Sequence, residues 1–332
     1  MIGKSVIIDG TTITYGYGKS VTAGNVKDKK ADNNTLTITG GSNVHQFDIA
    51  AAKVNRPASD GTSSASGNNL IISGEGTIVK KNNILAAGWV PGKGTANDNN
   101  VMINNGAIIE GSVFSGDAEQ GESSRNKIII DSATVTGNVI AGNVDSGGTA
   151  TSENSVTISG NAVITGNITG GGSNAREANS NEVTINDTAQ IIGDITGGGS
   201  RQQNGTANFN KITIGQNANI SQVTQITGAT SAQGTANQNE LNIAGSVAAG
   251  TTVTGGIGST DASDNNILIS GDSSGEVIGG KSDTGTANNN DIIIGGDATG
   301  NITGGIGNTD AGDNNITITG SVTGSVTGGQ SA

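Results

Sequence analysis

An internal repeat decides what this chain can fold into. Each unit opens with an Asn. An alternating apolar segment ending in Ile follows, then a bend, a second short apolar segment and a Gly-Gly pair. The clearest units open at Asn154, Asn181, Asn210, Asn239, Asn265, Asn290 and Asn314. Looser ones open at Asn34, Asn68, Asn99 and Asn126, and Lys4 heads a similar segment without the Asn. A unit this small cannot bury its own apolar face, so successive copies must stack and share one continuous core. The repeat therefore predicts an all-β fold, a parallel β-helix or β-solenoid of about 11–12 coils of 24–34 residues. At ~4.8 Å per coil such a rod is roughly 55 Å long.

Composition bears on this at two points. Ile and Val together outnumber Leu by about twelve to one, and β-branched residues favour strands. With 56 Gly and only 3 Phe, 2 Tyr and 1 Trp, the chain cannot fill one thick globular core. A thin row of Ile and Val repeated coil after coil needs no such core. Disorder, the usual reading of a glycine-rich acidic chain, does not explain Val and Ile recurring at two-residue intervals.

Residues 154–180 show how one unit is built. Val156 and Ile158 alternate with Ser155, Thr157 and Ser159, the pattern of a half-buried strand. Gly160-Asn161 forms a first bend, and Val163, Thr165 and Ile168 line a second face. Gly170-Gly171-Gly172 turns the next corner, and a polar stretch from Ser173 returns the chain to Asn181. Two apolar strands and one polar return predict a flattened or three-sided coil. Val156, Ile158, Val183, Ile185, Ile212, Ile214, Ile292, Ile294, Ile316 and Ile318 are expected to point inward. Asn154, Asn181, Asn210, Asn239, Asn265, Asn290 and Asn314 are candidates for a ladder of stacked amides. Turn formation by Asn accounts for the same positions and is compatible with it. Residues 99–332 read as regular repeats and 1–98 as irregular coils with long loops, all in one continuous domain.

At this point the cadence resembles a known family. Asn181-Glu182-Val183-Thr184-Ile185, Asp194-Ile195-Thr196-Gly197-Gly198 and Gly285-Thr286-Ala287-Asn288-Asn289-Asn290 look like the repeats of autotransporter passenger domains, the type V secreted surface proteins of Gram-negative bacteria. The resemblance covers about residues 99 to 329. It implies a surface-displayed or extracellular location and a structural or adhesive role. The family's signal peptide and C-terminal membrane barrel are not in this sequence, and the last repeat stops in mid-unit at Gly328-Gly329-Gln330-Ser331. The expectation is a fragment of a longer chain, joined to a membrane only through a missing C-terminal anchor.

Chemistry-bearing residues are few. The net charge is −12, which argues against a nucleic-acid partner, since such a partner needs a basic footprint. Zero Cys and one His exclude Cys/His metal sites. That histidine, His45, stands in what reads as an irregular loop. Gly18-Lys19-Ser20 lacks the glycine a phosphate loop needs five positions earlier. Gly255-Gly256-Ile257-Gly258-Ser259-Thr260-Asp261 and Gly304-Gly305-Ile306-Gly307-Asn308-Thr309-Asp310 approach a calcium β-roll repeat, but each Asp comes one place late. Trp89, Tyr15 and Tyr17 lie toward the N-terminus, and no acidic pair joins them. No catalytic residue, cofactor site or metal site is expected.

The function expected from these readings is a structural and adhesive rod. Its partner is a host or neighbouring-cell surface protein or glycan, or another copy of itself. The alternative is a carbohydrate-active β-helix resembling a tail-spike depolymerase or lyase, for which acidic pairs in one groove would be the sign. One candidate contact patch stands out. The outward positions of the first strand read Thr37, Ile71, Met102, Ile129, Thr157, Thr184, Thr213, Asn242, Leu268, Ile293 and Thr317. That row is too mixed for an ice-binding threonine array. Its Leu268 and Ile293 lie in compact repeats with little spare chain to cover them, whereas long loops could cover Ile71 and Met102.

Overall fold

The computed structural model describes residues 3–172 and 174–331, all strand, turn and bend with no helix. The chain is a parallel β-solenoid of about twelve turns. One face is a twelve-stranded sheet whose strands follow sequence order from Ser5–Asp9 through Thr35–Thr39 to Asn315–Ile318. The other two sides belong to a second sheet. Short strands such as Val163–Ile164 form one side, and longer ones such as Ile195–Ser200 and Thr252–Gly258 form the next. In Asn43–Val54 and Ile78–Thr95 the backbone stays in strand conformation around the corner between them. Ser173, the first residue of the expected polar return, lies outside the described residues.

Alternation places the core as expected. Val156, Ile158, Val183, Ile185, Ile212, Ile214, Ile292 and Ile294 are buried, each paired in register with its counterpart on the next coil. Ile316 and Ile318 are only partly buried, because the described chain stacks on one side of them alone. Pairing crosses residues 98 and 99 without a break, Leu70 opposing Val101 and Val101 opposing Ile128. Beside the main core lies a separate packing of small side chains, in two clusters. Ala52, Val54, Ala65, Val90, Ala96 and Ala118 form it in the early coils, and Ala178, Ala207, Ala229 and Ala236 in later ones.

The Gly-Gly pairs continue a strand instead of turning the expected corner. Gly170 and Gly171 lie within the strand Ile168–Gly171, and neither has positive φ. Their reason is space. A Cβ on Gly171 would sit 2.5 Å from Nδ2 of Asn181, and one on Gly170 would sit 2.4 Å from the carbonyl oxygen of Gly197. The same clash recurs at Gly198 against Asn210 and at Gly280 against Asn290.

The left-handed corner lies elsewhere, immediately before each ladder Asn. Asn33, Asp98, Arg125, Glu153, Ser180, Phe209, Gln238, Asp264, Asn289 and Asp313 have φ between 53 and 59°, and Gly67 has φ 68°. A side chain in this conformation costs ~1–2 kcal/mol. The backbone accepts that cost at nearly every coil, which sets the direction in which the next residue enters the interior.

Candidate functional site

That next residue is the ladder Asn. The Nδ2 of Asn154 donates to Oδ1 of Asn181 at 3.0 Å, and the backbone N–H of Asn154 donates to the same oxygen at 3.0 Å. Asn181 repeats both bonds to Asn210, and Asn210 to Asn239. Asn239, Asn265 and Asn290 continue them to Asn314. The looser repeats join on the same terms, Asn34 to Asn68, Asn99, Asn126 and Asn154. At one end the N–H of Lys4 takes the place of an Asn and donates to Oδ1 of Asn34. At the other, Nδ2 of Asn314 turns back to the carbonyl of Ala311. The members from Asn34 to Asn290 are buried, so every amide is both dry and satisfied.

A second ladder runs two residues upstream in the opposite direction. The N–H of Asn97 donates to Ser66 Oγ, that of Ser124 to Asn97 Oδ1, and that of Ser152 to Ser124 Oγ. Asn179, Asn208, Asn237, Ser263, Asn288 and Gly312 follow in the same way. Sequence reasoning missed it. The signal was there as a short polar residue two places before every opening Asn except Asn314, as in Asn288-Asn289-Asn290. Together the two ladders tie each coil to the next through side chains as well as backbone.

The outward row of the first face lies where alternation puts it. Thr37, Ile71, Met102, Ile129, Thr157, Thr184, Thr213, Asn242, Leu268, Ile293 and Thr317 are register partners in turn. Leu268 and Ile293 are half-buried, as are Ile71, Met102 and Ile129. Neighbours ~4.8 Å above and below on the same row account for such coverage.

A charged and aromatic cluster occupies the outer side of the longer strands in the early coils. It gives Trp89 charged neighbours that spacing along the chain does not show. Lys53 Nζ lies 2.7 Å from Asp48 Oδ2 and 4.1 Å from the centre of the Trp89 ring. Asn83 donates to the other oxygen of Asp48 at 2.8 Å. On the next coil Asp117 is the register partner of Trp89, and Asn143 donates to it at 2.8 Å. Burial, reinforced by the Asp145 carboxylate, pushes the Asp117 carboxyl up to about 7, against the Asn143 hydrogen bond and the Lys81 charge. Burial likewise lowers Lys81, whose ammonium stands over Phe114, and the Asp117 charge opposes that shift. Only register explains why spacing did not reveal the cluster: Lys53, Trp89 and Asp117 are 36 and 28 residues apart but share one row. Asp48 and Asp117 are each 4% exposed, so neither carboxyl is open to a bound sugar.

The remaining candidates separate. His45 is not in a loop. It lies on the strand Asn43–Val54 and stacks on Tyr15 with ring centres 4.8 Å apart. Tyr17 leans on Phe47 at 5.8 Å. Asp261 accepts from Ser263, Thr286 and Asn237 at 2.6 to 2.7 Å, and Asp310 accepts from Asn288 and from the N–H of Gly312. Both Asp residues thus serve the inter-coil polar network. Among the described residues no three His, Cys, Asp or Glu side chains converge as a metal site. No protein-family model, curated protein or solved structure matches this chain.

Proposed function

We propose that the chain is the structural and adhesive rod of a bacterial secreted or surface-displayed protein, without catalytic activity. The observation that carries this reading is the pair of continuous polar ladders. A solenoid coil contacts only its neighbours. Buried amide bonds at each junction resist bending and slippage, which suits a part whose task is to hold a surface away from its anchor. The face that rod presents carries hydroxyl, amide and isolated apolar side chains. Weak contacts repeated along it add through multivalency. The partner class is a surface protein or glycan of a host or neighbouring cell, or a second copy. The resemblance to autotransporter repeats supports the extracellular location.

The test uses beads coated with the chain, presented to cultured cells, to arrayed glycans and to each other. Binding is expected in at least one arrangement, and it should weaken when Leu268 and Ile293 are both replaced by Thr in a folded double variant. Beads inert in all three would remove the adhesive reading.

A further inference from the structure

We infer that the first face is where a second copy of this chain docks, with the two rods side by side and parallel. The outward residues of this sheet form three rows. The central row holds Ile71, Met102 and Ile129 on consecutive coils, then Leu268 and Ile293 further along. The rows on either side begin and end each strand. In the coil of Ile129 they hold Lys127 and Asp131, both exposed. Among the described residues Lys127 forms no ion pair on its own rod.

A two-fold axis lying in the interface and parallel to the rods keeps coil opposite coil and exchanges the flanking rows. Lys127 then faces Asp131 of the second copy, and Asp131 faces its Lys127. Ile129, Met102, Ile71, Leu268 and Ile293 each face themselves. In the other coils a charged flank meets a neutral one, Glu182 with Asn186, Lys211 with Gly215, Glu240 with Ala244 and Asp291 with Gly295, so no like charges meet. An antiparallel pair in full overlap would instead set Lys127 against Lys211 of the second copy.

A second observation marks the same place. Asn100 and Asn104 flank Met102, and Oδ1 of each is dry and without a hydrogen-bond partner. Across the parallel axis Asn100 faces Asn104 of the second copy, and a turn of one of the two amides about χ2 brings its Oδ1 out to accept from Nδ2 of the other. Twelve strands of about five residues present roughly 900 Å² per rod from strand spacing and rise, which is the size of a standard stable interface.

This dimer rests on the self-association arm of the proposed function, whereas binding to cells or glycans can hold or fail without it. The test is sedimentation of the whole chain at micromolar concentration, with circular dichroism to check the fold of each variant. The wild type is expected to sediment as a dimer. Lys127→Asp, which sets two carboxylates face to face twice, should weaken the dimer at least tenfold. The double variant Lys127→Asp with Asp131→Lys should restore it. Orientation is read with single cysteines, since the chain has none of its own. Thr37→Cys and Thr317→Cys lie near opposite ends of the central row. Facing sheets lie ~10 Å apart, beyond disulfide reach, so a short bismaleimide is used: each should cross-link to its own counterpart if the rods are parallel, and neither should if they are antiparallel. A monomeric wild type, a dimer indifferent to both charge variants, or failure of both cysteines to cross-link would each overturn the proposal.

Discussion

Replacing Asn181 tests the ladder directly. Its Oδ1 accepts two hydrogen bonds from Asn154, and its Nδ2 donates one to Asn210 at 2.9 Å. In Asn181→Ala the backbone N–H of residue 181 still reaches Asn210 Oδ1, as it does at 3.0 Å now. The damage falls on Asn154, which is 1% exposed and keeps two donors with no acceptor. A buried orphaned donor costs ~1–3 kcal/mol, so the expected loss is about 2–6 kcal/mol. Asn314→Ala should cost less, because Asn314 is only half-buried and water can reach the groups it leaves. Asn181→Asp separates hydrogen bonding from shape. One carboxylate oxygen still accepts from Asn154, but the other faces Asn210 Oδ1, and two acceptors repel in a dry site. Protonation turns that oxygen into a donor. The Asp variant should therefore be unstable at neutral pH and recover as pH falls, fully so below the free Asp value of ~4, while the Ala variant should not. Equilibrium urea unfolding, followed by circular dichroism at both pH values, measures each difference. An Asn181→Ala protein within 1 kcal/mol of wild type would refute the reasoning.

Further outcomes follow from single residues. Asp117 has its carboxyl raised from 3.8 to about 7, so the folded state holds a proton that the unfolded state releases. The site's stability is complete below ~4 and is lost as pH rises toward 7. At ~1.4 kcal/mol per pKa unit the loss is at most roughly 4 kcal/mol. Asp117→Asn should raise the melting temperature at pH 8 and leave it nearly unchanged at pH 4; the reverse order would count against the burial argument. Gly256→Ala would bring a Cβ to 2.0 Å from the Ala236 carbonyl oxygen and should cost about 1–3 kcal/mol by overpacking, as read by urea unfolding. Phe209 holds φ 59° while 55% exposed. Asn tolerates that backbone better, so Phe209→Asn should gain ~0.5–1 kcal/mol, and a loss would show that the ring packs usefully.

What the sequence determined by itself was the period, the alternation and the opening Asn. These fix the parallel stack, the inward Ile and Val of the first strand and the amide ladder, because each is a property of one unit repeated. What needed tertiary structure was whatever depends on one coil meeting another. The Gly-Gly pair reads as a corner until Asn181 is seen filling the space a Cβ on Gly171 would need. The left-handed corner holds Phe209, Arg125 and Glu153 as well as Asn and Asp, because a corner imposed by stacking fixes the backbone angle even where the side chain does not favour it. Lys53, Trp89 and Asp117 gather because coils of unequal length are brought into common register by the backbone bonds between them. That alignment is set by inter-coil pairing, and spacing along the chain does not carry it.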